Sequence, residues 1–477
     1  MTDFSTQNMA FRSVLVANRG EIAFRIMRSA RACGLQCIAV YTHADAQAEY
    51  VEFADQAVLI GEGPAGDSYL STERILAAAR ETNVQAIHPG YGFLSESADF
   101  AKAVRGAGLV FIGPPTRAIV AMGNKAQAKR LMLAAGVPCL SGYQEADQSN
   151  VAFVAAAKVI GYPVMIKAAA GGGGRGMRLV LNAASLEHDL GQARAEAKGA
   201  FGSDELILEK AVLRPRHVEI QIFADGQGNC IHLGERDCST QRRHQKIIEE
   251  SPSPAVGDAL RKAMGDAAIK VAKAVDYEGA GTVEFLLDED GQFYFLEMNT
   301  RLQVEHPVTE MVAGLDLVAM QFDQAQGQAL PLVQSDVAIS GHAIEVRLYA
   351  EDPTDNFLPS SGLIDLWKPG TGDGIRIDSG IRSGQMVSPY YDPMLAKIVA
   401  HGATRDQARQ RLIKALRETV LFGVKSNRDF LIELLSAPAF VDGKATTALI
   451  AETFGYEGPQ VHEPEFIDVA TAAVMYF

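Results

Sequence analysis

The chain has 477 residues, of which 48% are hydrophobic and 21% are charged, so it is long enough for about three domains of roughly 150 residues each. Its 44 basic and 58 acidic residues give a net charge of −14, which disfavours nucleic acid as a partner because like charges repel. No run of about 18 apolar residues predicts a membrane span, no secretory signal is visible, and the five cysteines fit a reducing compartment better than a disulfide framework, so we expect a cytoplasmic enzyme.

Strands and helices alternate in the first predicted domain, residues 11–121. A short apolar strand at Ser13 to Ala17 precedes an amphipathic helix at Ile22 to Ala32, and a second strand covers Cys37 to Tyr41. This alternation predicts a doubly wound parallel sheet of the Rossmann-like type. A dinucleotide site needs GxGxxG at the first turn, where this chain has Asn-Arg-Gly-Glu, so a support domain without dinucleotide is favoured.

A glycine-rich loop, Gly171 to Gly176, lies in the second predicted domain, residues 122–327. Strand-forming segments flank it at Val164 to Ala168 and Met177 to Val180, whereas a dinucleotide or P-loop motif would continue into a helix. The pattern predicts a β-hairpin with a flexible tip, whose backbone N–H groups can approach phosphate oxygens without interference from a Cβ. A plain surface turn is the alternative, although it needs fewer glycines. Lys167, just before the loop, is expected to pair with a phosphate charge.

Two predicted strands farther along this domain carry acids among apolar residues. They cover Thr282 to Leu286 and Gln292 to Asn299, and an Asp-rich turn joins them, so Glu284 can lie beside Glu297. Two carboxylates and an amide oxygen are hard ligands that suit Mg²⁺. An exposed strand face with ordinary charges is the alternative, but the surrounding phenylalanines favour burial. The two-residue period is expected to place four polar side chains on one face: Glu297, Asn299, Arg301 and Gln303.

Basic and acidic side chains beside these strands could bind an anion and move a proton. Arg301 offers a planar fork to a carboxylate-like anion, and Glu305 is a candidate general base; a structural salt bridge is the alternative for either one alone. The basic run Gln241 to Lys246 is unusual in an acidic protein. A solvated turn is the ordinary interpretation, and a small anion such as bicarbonate at Lys246 is the functional one. Taken alone, His217 is interpreted as a structural histidine.

The third predicted domain covers residues 338–455. It opens with a strand at His342 to Leu348 and contains a helix at Arg405 to Thr419. The last stretch, residues 456–477, is interpreted as a linker or as the start of a downstream segment.

Eight sequence segments, taken together, resemble the biotin carboxylase family of ATP-grasp enzymes. The resemblance runs from about Phe11 to Gly455, and the segments ERDCSTQRRHQK and EMNTRLQVEHPVTE point to biotin carboxylase in particular. The eight segments are ANRGEIAFR (Ala17 to Arg25), HPGYGFLSE (His88 to Glu96), MGNK (Met122 to Lys125), GGGGRGM (Gly171 to Met177), RPRHVEIQ (Arg214 to Gln221), ERDCSTQRRHQK (Glu235 to Lys246), EMNTRLQVEHPVTE (Glu297 to Glu310) and GHAIEVRLYAEDP (Gly341 to Pro353).

The resemblance implies an α/β protein with a Rossmann-like N-terminal domain, an ATP-grasp central domain with a mobile lid at about residues 140–212, and an α+β C-terminal domain. Ala170 stands where the family often has the first of its lid glycines, and we expect at most a slight effect on lid opening. The implied ATP-binding residues are Lys125 and Lys167 at the phosphates, Gly173 and Gly174 in the lid, Glu209, Lys210 and Val212 at the adenine, and His217, His244 and Glu284.

The resemblance also implies two Mg²⁺ ions, with Mn²⁺ as a substitute, and a bicarbonate site. Glu305 would be the general base, Arg347 would face the ureido oxygen of biotin, and Tyr91 would lie near the biotin ring. The implied metal ligands are Glu284, Glu297 and Asn299, and the implied bicarbonate residues are Lys246, Arg301, Gln303 and Val304.

The function that the resemblance implies is ATP- and Mg²⁺-dependent carboxylation of biotin by bicarbonate through carboxyphosphate, the first half-reaction of an acyl-CoA carboxylase. The chain lacks a Met-Lys-Met biotin attachment motif, so we expect biotin on a separate carrier protein or domain. A carboxyltransferase subunit is the second expected partner, and a homodimer is one expected assembly. Three alternatives are a carbamoyl-phosphate-forming ATP-grasp ligase, a non-catalytic ATP-binding subunit, and, from the literal GxGxxG, a NAD-dependent oxidoreductase.

Overall fold

The computed structural model describes residues 11–171 and 176–455, and its N-terminal region is a parallel α/β layer. Five parallel strands take the order β3-β2-β1-β4-β5, so the direction of winding reverses between β1 and β4, as the alternation of elements predicted. The elements are β1 (Ser13–Val16), α1 (Gly20–Ala32), β2 (Gln36–Thr42), α2 (Glu49–Phe53), β3 (Gln56–Gly61), α3 (Thr72–Glu81), β4 (Ala86–His88), α4 (Ala98–Gly106), β5 (Val110–Phe111) and α5 (Thr116–Gly123).

A four-stranded sheet with the order β6-β9-β7-β8 follows, and it contains the predicted glycine hairpin. The strands on either side of the loop pair antiparallel, with Val164 opposite Val180, which confirms that they form a hairpin. Gly173 and Gly174 lie outside the described residues. The elements are α6 (Lys125–Ala134), β6 (Gly142–Tyr143), α7 (Asn150–Ile160), β7 (Val164–Ala168), β8 (Arg178–Val180), α8 (Leu186–Phe201) and β9 (Leu206–Lys210).

The largest sheet has eight antiparallel strands in the order β14-β13-β10-β11-β12-β15-β22-β20. Pairing of β12 with β15 joins the central and C-terminal predicted domains in one continuous sheet. The central elements are β10 (Arg216–Ala224), β11 (Cys230–Arg242), β12 (Gln245–Ser251), α9 (Asp258–Ala274), β13 (Gly279–Leu287), β14 (Phe293–Asn299), α10 (His306–Ala313) and α11 (Leu317–Ala325).

The C-terminal region completes that sheet and covers one of its faces with helices. The strands and helices here are β15 (His342–Tyr349), β16 (Glu351–Asp352), β17 (Leu358–Pro359), β18 (Gly362–Leu363), β19 (Leu366–Lys368), β20 (Ile375–Ser379), β21 (Met386–Val387), β22 (Met394–Gly402), α12 (Arg405–Glu418), β23 (Val420–Phe422), α13 (Arg428–Ser436), α14 (Pro438–Val441) and α15 (Leu449–Phe454). None of the helices in the described ranges is long and apolar enough to cross a membrane.

The two faces of the large sheet differ in chemistry because side chains alternate along each strand. On β10, Val218, Ile220 and Ile222 pack into a core with α9, while His217 and Glu219 point the other way. On β15, Ile344, Val346 and Leu348 pack against α12, whereas Glu345 and Arg347 occupy the opposite face. The sheet therefore has an apolar face that stabilises the fold and a charged face that is available for chemistry.

Candidate active site

A row of charged side chains crosses four neighbouring strands of the large sheet. Pairing sets Arg236 opposite Glu219, Glu219 opposite Glu284, and Glu284 opposite Glu297. Directly opposite side chains in an antiparallel sheet have Cβ atoms about 5 Å apart, and like charges in that position are destabilising. Three adjacent carboxylates therefore need cations close by.

Lys246 on β12 supplies the central cation. Its ammonium donates to Glu219 at 2.6 Å, to Glu284 at 2.8 Å and to Glu305 at 2.7 Å. Burial alone would lower the pKa of Lys246, but the three carboxylates hold that pKa well above its ordinary value. Lys246 is therefore a permanent positive charge at the centre of the site.

Glu305, immediately before α10, links Lys246 to Arg347. The Arg347 guanidinium donates through Nη2 to Glu305 at 3.0 Å, and Glu305 is fully buried. Burial alone would raise the pKa of Glu305, but Lys246 and Arg347 hold that pKa well below its usual range. Glu305 is consequently an ionised carboxylate with two cationic partners, and its strength as a base depends on where those partners point.

Arg301 and Gln303 lie beside the metal-ligand candidates but not on the strand where the two-residue period placed them. The strand ends at Asn299, because the backbone N–H of Thr300 donates to Glu96 at 3.1 Å and the chain turns away. Arg301 nevertheless donates to Asn299 Oδ1 at 3.2 Å and to Gln303 Oε1 at 2.6 Å. The prediction of a shared face was wrong, although the side chains do cluster.

Glu284, Glu297 and Asn299, the predicted metal ligands, offer the oxygen atoms that a divalent cation prefers. Asn299 Nδ2 donates to Glu284 Oε1 at 2.8 Å, and His217 Nε2 lies 2.9 Å from Glu284 Oε2. Burial alone would raise the pKa of Glu284, but Lys246 and His217 hold it well below its usual range, so the carboxylate is ready to bind a cation.

Geometry also points to Glu219 as part of this cation site. Two groups of three side chains in the described part of the chain place metal-binding atoms within 4.8 Å of one another, and both contain Glu219. Neither contains Glu297, which instead contacts the Lys125 ammonium. The groups are His217, Glu219 and Glu284, and Glu219, Cys238 and Glu305.

The predicted phosphate-binding lysines are held by carboxylates near the glycine hairpin. Lys125 contacts Glu297 and donates to the carbonyl of Gly171 at 2.9 Å. Lys167 lies 2.5 Å from Glu209, which also accepts from Lys129 at 2.6 Å. Burial alone would raise the pKa of Glu209, but Lys167 and Lys129 lower it to about 2. This buried cluster has two lysines for one carboxylate.

Three further predicted nucleotide residues lie at the end of β9, just after it, and in the turn between β11 and β12. Lys210 donates from its side chain to the carbonyls of Gly161 and Tyr162 at 3.1 and 3.0 Å, so its side chain joins β9 to the segment before β7. Val212 is half-buried just after β9. His244 lies in the two-residue turn between β11 and β12, where its φ is 67°. Desolvation, followed by the charges of Lys167 and His217, lowers the pKa of His244.

Tyr91 and Val304 are joined through Lys397. The Tyr91 hydroxyl donates to Glu21, whose carboxylate lies 3.3 Å from the Lys397 ammonium. That ammonium lies 5.8 Å from the centre of the Tyr91 ring and donates to the Val304 carbonyl at 2.7 Å. One buried lysine therefore contacts both Tyr91, which is predicted to lie near the biotin ring, and Val304, which is predicted to bind bicarbonate.

Sequence reasoning missed several members of this charged face. The alternation of apolar residues at 218, 220 and 222 could have identified Glu219, because it lies between them on the other face of β10. Lys129 gave no signal, since its contact with Glu209 joins a helix to a strand distant along the chain. Glu249 and Glu345 form a buried pair that depends on the β12–β15 register.

Comparison with known proteins identifies the family of this chain. Three family descriptions match in order: the biotin carboxylase N-terminal domain over residues 10–119, the ATP-binding domain of the carbamoyl-phosphate synthase L chain over 124–333, and the biotin carboxylase C-terminal domain over 345–452. A biotin carboxylase from Nostoc sp. is 49% identical, and the match covers 93% of this chain and 99% of the relative.

Longer relatives and solved structures give the same result. The mitochondrial methylcrotonoyl-CoA carboxylase subunit α of Mus musculus is 49% identical over 94% of this chain, and the chain spans 63% of that relative's length. A Campylobacter jejuni biotin carboxylase complex with β,γ-ATP has a TM-score of 0.91 at 44% identity, covering 93% of this chain and 99% of the other. The biotin carboxylase domain dimer of Hydrogenobacter thermophilus 2-oxoglutarate carboxylase, with MgADP and bicarbonate, has a TM-score of 0.92 at 43% identity, covering 95% of this chain and 100% of the other. The chain belongs to the biotin carboxylase family.

Proposed function

We propose that the chain uses ATP and bicarbonate to carboxylate biotin that is carried on a separate protein or domain. The observation that carries this proposal is the set of contacts from Lys246 through Glu305 to Arg347. Lys246, at one end of these contacts, also donates to Glu219 and Glu284. Arg347, at the other end, suits an oxyanion. A cation-binding site and an anion-binding site are thus joined by a single carboxylate.

Lys125 and Lys167 would bind the phosphates of ATP. Both lysines contact carboxylates in the structure, and a triphosphate offers several anionic oxygens in place of each carboxylate. Glu284, Glu297 and Asn299 would hold magnesium, which supplies positive charge against the phosphoryl oxygens when it is bound. The glycines of the hairpin would place backbone N–H groups over the phosphates.

Bicarbonate would bind between Lys246 and Arg301, with Glu305 as its base. While both cations point at Glu305, its pKa is too low for a good base. When Lys246 turns to the bicarbonate anion, Glu305 loses a stabilising partner and becomes more basic. Glu305 then takes the bicarbonate proton, and a bicarbonate oxygen attacks the γ-phosphorus. The bond from that phosphorus to ADP breaks, which gives carboxyphosphate and ADP.

Arg347 would act in the second step. Carboxyphosphate breaks down to CO₂ and phosphate, and the phosphate takes the N1 proton of biotin. The negative charge then rests on the ureido oxygen, where the Arg347 guanidinium can stabilise it. The N1 of this enolate attacks CO₂ to form carboxybiotin. Lid closure would exclude water, which would otherwise hydrolyse carboxyphosphate.

A biotin carrier and a carboxyltransferase are the partners that fit this role. The methylcrotonoyl-CoA and propionyl-CoA carboxylase α chains that resemble this protein extend beyond the matched region. We propose that the chain supplies the first half-reaction of such an acyl-CoA carboxylase, and that it pairs as a homodimer. All five cysteines are unpaired thiols, which suits the reducing cytoplasm.

Release of ADP in the presence of Mg²⁺, ATP and bicarbonate tests this function. We expect free biotin or a biotinylated carrier domain to stimulate release, and we expect removal of bicarbonate to abolish the stimulation. ATP binding without any stimulation by either form of biotin would contradict the proposal.

Carbamoyl phosphate formation is the second candidate, because the central region matches the ATP-binding domain of a carbamoyl-phosphate synthase chain. In that case ammonia, rather than biotin, would stimulate ADP release. The matches on both sides of the central region favour biotin as the acceptor.

A further inference from the structure

Arg347 is anchored by a carboxylate that has no role in the mechanism above. Its Nε donates to Glu249 Oε1 at 2.6 Å, while its Nη2 donates to Glu305 Oε2 at 3.0 Å. Glu249 lies on β12 and is fully buried, as is Glu305. Two carboxylates that bind different nitrogens of one guanidinium fix both its position and its plane. Arginine has five N–H donors, so this anchoring does not exhaust its capacity to bind a substrate oxygen.

A second buried acid, Glu345, lies next to Glu249 on the neighbouring strand. Glu345 on β15 is opposite Glu249 in the antiparallel register, and its exposure is 0%. Within residues 11–171 and 176–455, neither carboxyl oxygen of Glu345 has a hydrogen-bond partner, and the second oxygen of Glu249 has none either. Two buried carboxyls on neighbouring strands do not both ionise readily, so we expect one of the two to stay protonated. Burial and the adjacent Glu249 raise the pKa of Glu345 well above its ordinary value, while Lys397 opposes the shift.

We propose that Glu249 is a positioning residue for Arg347, and that Glu345 stays protonated so that Glu249 keeps the charge that holds the arginine. This inference rests on the proposed function, because it concerns how Arg347 is presented to the ureido oxygen of biotin. A fixed guanidinium contributes to catalysis only if it already points at the oxygen that gains charge. Glu249 would supply that orientation without touching the substrate.

The anchor has a consequence for pH. Burial raises the pKa of Glu249 to about 7, against the opposing effect of Arg347. The carboxylate is charged above that pKa, so the anchor is present at higher pH and is lost as pH falls below about 7. The charged or titratable groups that face this acid pair are Lys246 on β12, Arg347 on β15, Lys397 on β22, Glu305 before α10 and Cys238 on β11.

Glu249→Gln keeps the shape of the side chain and removes its charge. We expect the biotin-stimulated rate of ADP release to fall about ten- to a hundredfold, because a misaligned catalytic group loses that much. The slower bicarbonate-dependent release without biotin should fall much less. The decline of the biotin-stimulated rate below about pH 7 should also disappear in this variant. Glu249→Asp, which keeps a charge, should retain the acid decline and lose less rate.

Glu250→Gln is the matched control. Glu250 is the next residue on the same strand, is equally buried, and binds Arg405 at 2.6 Å and His342 at 2.7 Å on the opposite face of the sheet. We expect this variant to be less stable while the ratio of biotin-stimulated to biotin-independent release is unchanged. Glu345→Gln imitates the neutral acid, so the pH of the acid decline should stay in place.

The outcomes separate this inference from the proposed function. Failure of the unchanged protein to respond to free biotin or to a biotinylated carrier domain would overturn the proposed function itself. A normal response that Glu249→Gln leaves intact, or lowers equally with and without biotin, would overturn the positioning role. A shift of the acid decline to lower pH in Glu345→Gln would show that Glu345 is ionised and would overturn the protonated state that we propose for it.

Discussion

Two buried clusters of lysines and glutamates in this protein have opposite charge balances. At the centre of the large sheet, one ammonium, that of Lys246, contacts three carboxylates. Near the glycine hairpin, one carboxylate, that of Glu209, contacts the ammonium groups of Lys129 and Lys167. Both clusters use the same two residue types, and both are removed from water.

The difference shows what each cluster is suited to bind. Buried charges of one sign are costly unless opposite charges neutralise them. Arg236 and Arg347 also pair with carboxylates around Lys246, but those carboxylates provide oxygen ligands that suit the cations that we propose there. The excess of ammonium groups at Glu209 suits the phosphates of ATP. The two clusters therefore differ in their ratio of lysines to glutamates, although they contain the same two residue types. The predictions below test that distinction.

Loss of the carboxylate between Lys246 and Arg347 should have the largest effect. Glu305→Gln removes the proposed base while keeping its shape, and turnover should fall by about 10²–10⁴-fold. Lys246→Gln should lower turnover to a similar extent, because bicarbonate loses its cation. Rates of ADP release and ATP binding by calorimetry check both variants.

ATP binding should survive in both variants, since the nucleotide lysines lie in the other cluster. Loss of ATP affinity together with turnover would contradict the assignment of Glu305 and Lys246 to the bicarbonate step.

Glu209→Gln should chiefly affect stability, because it leaves two buried lysines without their shared partner. Breaking a buried ion pair in this way costs about 3–5 kcal/mol. The pKa of Glu209 is lowered to about 2 from an ordinary value of 4.5, so its contribution is complete above pH 4.5 and is lost as pH falls towards 2. Urea unfolding of the variant and the unchanged protein across this range measures the difference.

Inorganic phosphate provides the control for this variant. If the two lysines form an anion site, phosphate should stabilise Glu209→Gln more than it stabilises the unchanged protein. Equal stabilisation of both proteins would contradict that interpretation of the cluster.

The sequence predicted local pairing within these clusters better than contacts with distant segments of the chain. Period two and the Asp-rich turn correctly placed Glu284 opposite Glu297, because a hairpin is a local structure. The predicted end of the strand at Asn299 is confirmed, but the two-residue period was wrongly carried past it to Arg301 and Gln303. The path of the chain there depends on contacts of Thr300 and Arg301 with Glu96 in the N-terminal region. Such contacts between distant segments leave no periodic signal.

The same limit applies to the domain pattern and to Glu345. Alternating strands and helices predicted the parallel sheet, because each unit follows the next along the chain. Pairing of β12 with β15 instead joins segments that are far apart in sequence, and it creates both the continuous eight-stranded sheet and the Glu249–Glu345 pair. The alternation along each strand could have placed Glu249 and Glu345 within their strands, but it could not show that the two residues lie opposite each other.

Magnesium should stabilise the protein by an intermediate amount if the carboxylates around Lys246 form a cation site. A ligand present at a hundred times its dissociation constant stabilises the folded state by about 2.7 kcal/mol. We therefore expect Mg²⁺ to raise the melting temperature, and we expect chelation to reverse the effect. Glu284→Gln should abolish most of this response, because Glu284 is the carboxylate shared by Lys246, His217 and Asn299. An undiminished response in that variant would place the ion elsewhere.

We expect the smallest effect on stability at an ion pair that is exposed to solvent. Lys262 and Asp266 form an ion pair of 2.7 Å on α9, with side-chain exposures of 76% and 52%. Solvent screens this pair, so Lys262→Ala should change the free energy of unfolding by less than about 0.5 kcal/mol, and Mg²⁺ or phosphate should not alter that value. Urea unfolding with and without each ion measures it. A large effect of Lys262→Ala that depends on Mg²⁺ or phosphate would show that the net charge of the protein governs its response to ions. The response would then say nothing about the difference between the two buried clusters.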